Sequence, residues 1–146
     1  MTATDQGIEC LNSLLRGELA ATETYQQAIA KMAGTAQAVD LRRIHVEHRE
    51  AANALRVLVH ECGGKPDQGS GAWGAWAKLV EGAAKVFGVQ AALRALKEGE
   101  EVGISDYEAA LANAPLAEKC KSLVRMTLLP QTREHVRALD RMMANS

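Results

Sequence analysis

Residues 17–30 read GELAATETYQQAIA, and residues 99–112 read GEEVGISDYEAALA. Aligned without gaps, the two stretches share Gly-Glu, a Tyr seven residues after that Glu, and a final Ala. The residues after Tyr match in kind, Ala28-Ile29 against Ala110-Leu111. Each stretch is followed by a second segment carrying Glu-His, Glu47-His48 and Glu134-His135. This pattern reads as a helix pair duplicated within one chain. Seven residues turn a helix by about 700°, close to two full turns, so Glu and Tyr share a face. In both stretches that face is the apolar one. Glu18 and Glu100 are therefore expected to point inward.

Working outward, the apolar spacing predicts helices over about 6–33 and 36–62. The first carries Ile8, Leu11, Leu15, Thr22, Tyr25, Ile29 and Met32 on one stripe, and Gly34 stops it. The second carries Leu41, Ile44, His48, Ala51, Leu55, Leu58 and Cys62, and ends at Gly63-Gly64-Lys65-Pro66. After a linker over 63–71, a short amphipathic helix is expected at 72–87, with Trp73, Trp76, Val80, Ala84 and Phe87 on its packing face. It is expected to lie on the side of a bundle. Long helices follow at about 89–113 and 115–144. The last has Cys120, Leu123, Thr127, His135, Leu139 and Met142 inward and a kink at Pro130. The fold expected is all-α: four long helices in one domain, 1–146, with a long middle crossover carrying the short helix.

Composition agrees. Of 146 residues, 26 are Ala and only 3% are aromatic, so strand-forming material is scarce. A net charge of -1 excludes the basic footprint of a dedicated nucleic-acid binder. No apolar run approaches the roughly 20 residues that span a bilayer. Met1 to Ile8 lacks the basic and apolar parts of a secretory signal, and Cys10, Cys62 and Cys120 form no CxxC. A cytoplasmic protein with buried, inert thiols is the expectation, a cluster of all three being the alternative.

His48 and His135 fall on the inward stripes of their helices. The core should therefore hold two carboxylates and two imidazoles. An isolated buried carboxylate costs several kcal/mol, so it needs a partner. Two arrangements satisfy this. A divalent metal, iron or zinc, could be held by Glu18, His48, Glu100 and His135. Or each Glu could bond a His in a metal-free polar layer that fixes helix register. Tyr25, Tyr107 and His45 are candidates for a supporting shell. Glu47 and Glu134 lie about 100° from the His that each precedes, and are expected to face solvent or a neighbouring helix rather than the site.

The chain resembles the ferritin-like superfamily in its single long crossover and in the inward Glu18 and Glu100. More closely, it is similar to the bacterial family catalogued as domain of unknown function 2383. The segments that carry this are LNSLLRGELAATETYQQAI at 11–29, GGKPDQGSGAWGAWAKLVEG at 63–82, LKEGEEVGISDYEAAL at 96–111 and LLPQTREHVRALDRM at 128–142. The resemblance implies a ferritin-like four-helix bundle. The wider superfamily implies a di-iron carboxylate site, with Glu-x-x-His on two of the helices. Here His45 and Thr132 stand where those two Glu would be. The remaining ligands suit one metal better than two. The functions this leaves open are a metal-dependent oxidoreductase or stress protein, a non-catalytic module binding a partner or a second copy of itself, and, least supported, an iron-storage shell. No nucleophilic triad or phosphate loop is present.

Overall fold

The computed structural model describes residues 1–69, 74–112 and 115–145. Trp73, the first residues of the connector and Asn113 lie outside them. The described chain runs α1 (Ala3–Lys31), α2 (Gln37–Glu61), α3 (Ala75–Phe87), α4 (Val89–Ala112), α5 (Glu118–Leu123), a π segment (Val124–Leu128) and α6 (Leu129–Ala144). α1 starts earlier than the apolar stripe implies, because Thr2 and Asp5 form a reciprocal capping box. The last long helix starts three residues later than expected, at Glu118. α1 packs on α2, α4 on α6, and α3 lies across both α1 and α4. The three helices α5, π and α6 follow one another directly and act as the fourth long element.

The core is in two parts. Leu11, Leu15, Leu55, Tyr107, Val124 and Leu128 belong to one apolar cluster. Tyr25, Leu41, Ile44, Trp76, Leu93 and Leu139 belong to the other. Cys120 is in the first, and Cys10 and Cys62 pack against it, so the three thiols share one half of the bundle. All three are free.

Three details depart from the periodic reading. Phe87 is exposed rather than packed, since α3 ends there and Gly88, at φ 88°, turns the chain into α4. Thr127 is exposed as well. The inward residues here are Cys120, Val124, Leu128 and Thr132, at a constant spacing of four. Such a spacing drifts around an ordinary helix, but the π segment widens one turn and keeps it inward. The Leu129 N–H accordingly bonds the Val124 carbonyl, five residues back. Where a kink at Pro130 is expected, the widened turn stands just before it, and Pro130 sits exposed in the first turn of α6. Pro lacks the N–H that a regular ladder would use.

The α3–α4 contact depends on a missing side chain. A Cβ on Gly99 would lie 2.1 Å from the Trp76 indole, whose Nε1–H donates to the Ala95 carbonyl at 3.0 Å. Among the described residues outside its own helix, a Cβ on Gly103 would meet Thr132 alone, at 3.7 Å. Gly99→Ala should therefore cost about 1–3 kcal/mol in urea unfolding by overpacking. Gly103→Ala should be neutral or stabilise by up to about 1 kcal/mol, through helix propensity. Equal effects would contradict the close approach. Burial, with Cys62 beside it, pushes the Cys120 thiol up to about 11. Mass-resolved alkylation of native protein at pH 8 should therefore label Cys120 last.

Candidate metal centre

Between the two apolar clusters lie the buried polar residues Glu18 (α1), His48 (α2), Glu100 (α4) and His135 (α6). Each of the four long elements supplies one. All four residues singled out by the inward stripes are thus brought together.

Glu100 is the hub. Its Oε2 accepts from His48 Nε2 at 2.8 Å and from the Tyr25 hydroxyl at 2.5 Å. Its Oε1 faces His135 Nδ1 at 3.3 Å. One ligand atom from each of His48, Glu100 and His135 lies within 4.8 Å of the others, and all three residues are buried. Glu18 is on the far side of the His48 ring, its Oε2 2.5 Å from Nδ1, while its Oε1 accepts from the Tyr107 hydroxyl. Tyr25 also stacks on His48, with ring centroids 5.2 Å apart.

The tyrosines cross over. Tyr25 of α1 bonds the Glu of α4, and Tyr107 of α4 bonds the Glu of α1. Such a crossing requires α1 and α4 to run antiparallel, with each Tyr two turns from its own Glu and level with the other. Both hydroxyls are thereby satisfied inside the core.

Glu47 departs from expectation. It reaches α6, its Oε1 2.7 Å from His135 Nε2, and so belongs to the site. The 100° offset from His48 is what aims it across the α2–α6 gap. The only signal in the sequence was that offset, which does not say what stands opposite. Glu134 stays on the surface, as expected, bound to Arg137 and Arg141. His45 is not drawn in: its Nε2 is buried without a hydrogen-bond partner among the described residues. Thr132 is buried beside the site, but its hydroxyl donates to the Leu128 carbonyl.

Burial opposes the charge on His48, yet Glu100 and Glu18 on either side outweigh it and hold the imidazole pKa well above its usual value. Burial likewise pushes the Glu100 carboxyl up, but His48 and the hydrogen bonds from His135 and His48 bring it well below the usual carboxylate range. Burial first, and then the neighbouring carboxylates, raise both tyrosines. Three carboxylates thus meet two imidazoles. With both imidazoles protonated the cluster still carries one negative charge, and with both neutral it carries three. Neutral imidazole and carboxylate together are a donor set for iron or zinc. Each imidazole that turns one nitrogen toward Glu100 has the other held by a carboxylate, the usual support of a metal-bound histidine.

Among curated proteins, none matches this sequence. A solved structure of ferritin-like, diiron-carboxylate proteins from Bacillus anthracis strain Ames is similar in fold, at a TM-score of 0.77 and 19% identity. The alignment covers 98% of this chain and 99% of that one. The all-α ferritin-like fold is therefore shown. Residues 6–113 match the family described as Domain of unknown function (DUF2383), and the chain belongs to that family.

Proposed function

We propose that this is a metal-binding protein whose core holds one divalent transition-metal ion, iron or zinc, on His48, Glu100 and His135. The observation that carries it is the convergence of these three buried ligand groups, each imidazole backed by a further carboxylate. In this reading Glu18 orients His48 and Glu47 orients His135, rather than binding the ion themselves. Two imidazoles and one carboxylate leave coordination positions free, the arrangement of non-haem iron sites that bind a further ligand. Iron there supplies one-electron redox chemistry, and zinc a Lewis acid. This chain's residues hold and orient the ligands, while Tyr25 and Tyr107 keep the carboxylates in place. One ion is favoured over two because His45 and Thr132 replace the Glu that a second ion would need. The crossed Tyr–Glu bonds also support reading α1–α2 and α4–α6 as a duplicated helix pair.

A second reading has its own support. Every ring nitrogen of His48 and His135 already faces a carboxylate, so the layer is satisfied without metal. The protein would then be a non-catalytic structural or interaction module.

Metal content by inductively coupled plasma mass spectrometry, on untagged protein purified without chelator, separates the two. About one equivalent of iron or zinc is expected, absent from a His48→Ala/His135→Ala variant. Glu100→Gln should abolish binding, whereas Glu18→Gln should weaken affinity about 10–100-fold, as outer-shell changes do. Equal loss in both would make Glu18 a direct ligand. Metal-free protein that takes up neither ion would leave the polar layer standing.

The metal-free form has a predictable pH response. His48 has a raised pKa, so its stabilisation is complete below the reference value of 6.5 and is lost as pH rises through the folded value. Glu100 has a lowered pKa, so its stabilisation is present above 4.5 and is lost as pH falls through the folded value. Urea midpoints of apoprotein should be highest between these limits and fall at alkaline pH. His48→Gln should remove that alkaline fall; a profile identical to wild type would refute the imidazolium.

A further inference from the structure

One edge of the buried cluster opens on a cavity of about 30 Å³, room for a single water-sized group. Glu18, Glu100 and His48 line its floor. Gly17, Ala21 and Gly103 also line it, so small residues of α1 and α4 bound it. Outside its own helix, a Thr132 methyl is what comes within 4 Å of where a Gly103 Cβ would stand, among the described residues. A larger surface groove, of about 350 Å³, runs along the same two helices. Leu14 and Asp106 line both hollows, so these two residues stand at the boundary between groove and cavity.

The groove is acidic. Glu9 and Asp106 contribute carboxylates, and the charge of Arg16 beside them is taken up by Asp67. No ion pair among the described residues involves Asp106. Burial pushes its carboxyl up from the usual range, as suits a group sunk part-way into a mouth. The opposite side of the cluster is less suited to a cation. There Glu47 is engaged by His135, and the Arg43 guanidinium lies 3.4 Å from it.

We propose that the seam between α1 and α4 is the path by which a divalent metal cation reaches the core, with Asp106 receiving it at the mouth and Glu100 at the floor, where Glu18 adds its negative charge without binding the ion. This rests on the reading of the cluster as a metal site. A bare cation crossing an apolar bundle loses its hydration at great cost. Carboxylates at successive depths replace that hydration stepwise. An acid-lined cleft also raises local cation concentration and speeds association. Glycines in the seam leave the space that side chains would otherwise fill.

The test is the kinetics of cobalt(II) uptake by full-length apoprotein, followed by visible absorption in stopped flow. Wild type should take up about one equivalent, more slowly as salt rises. Asp106→Asn should slow uptake about tenfold, with the same stoichiometry and a weaker salt dependence. Gly103→Val, which narrows the seam, should slow uptake and release alike and leave the dissociation constant unchanged, because a path residue acts only on the barrier. Asp106 is exposed, so its variant carries the test even where Gly103→Val folds poorly. Wild-type rates in Asp106→Asn, or faster uptake in Arg43→Gln, would overturn the path while leaving the metal site intact. Wild-type protein that binds no cobalt would overturn both.

Discussion

A layer of ionisable groups crosses the middle of this bundle, and the apolar core is arranged around it. The carboxylates of Glu18 and Glu100 and the imidazoles of His48 and His135 sit where an ordinary bundle would place leucines. Each is held by another member or by a tyrosine. Removing one partner of a buried charge pair leaves the other uncompensated, at about 3–5 kcal/mol. The layer therefore demands that α1, α2, α4 and α6 meet in one axial register. The apolar clusters on either side supply the burial energy, and the layer supplies the uniqueness.

The two halves of that layer are alike on one side and unlike on the other. On α1 and α4 the Gly-Glu and Tyr positions repeat, and the hydrogen bonds cross symmetrically. On α2 and α6 the likeness stops. Glu47 reaches the site, while its counterpart Glu134 pairs with surface arginines. Thr132 takes the position that His45 takes on α2, and the α5–α6 element, unlike α2, carries a π segment. The asymmetry gathers both imidazoles about a single carboxylate, Glu100. A centre built this way has one focus, which is the physical ground for the proposal of one ion rather than two.

The shared fold with a diiron-carboxylate protein at 19% identity concerns architecture. A bundle of four helices offers four inward faces at its waist, and many ligand sets can occupy them. In this chain the set placed there is two glutamates and two histidines, with carboxylates on the outer nitrogens of both imidazoles. The glycines Gly17, Gly99 and Gly103 shape the space around that set. They let Trp76 dock closely at one point and leave a narrow hollow beside the carboxylates at another.

The period of the apolar residues, read along the chain, was enough for the helices and for the inward turn of Glu18, His48, Glu100 and His135. The loops dictated the long crossover. These features are local: a face is set by 3.6 residues per turn, and an end by a glycine or proline. Which groups then touch is not local. Tyr25 lies level with Glu100 because α1 and α4 are antiparallel and shifted by two turns. Glu47 meets His135 because α6 stands opposite its side of α2. Thr127 turns outward because one turn of the last helix is widened. The hollow beside Glu18 and Glu100 depends on small residues of two helices, Gly17 and Ala21 of α1 and Gly103 of α4, meeting at one seam. Each of these depends on the relative placement of helices far apart in sequence, which no single period encodes. The residue types of the centre are thus written in the chain, but their pairing comes only from packing.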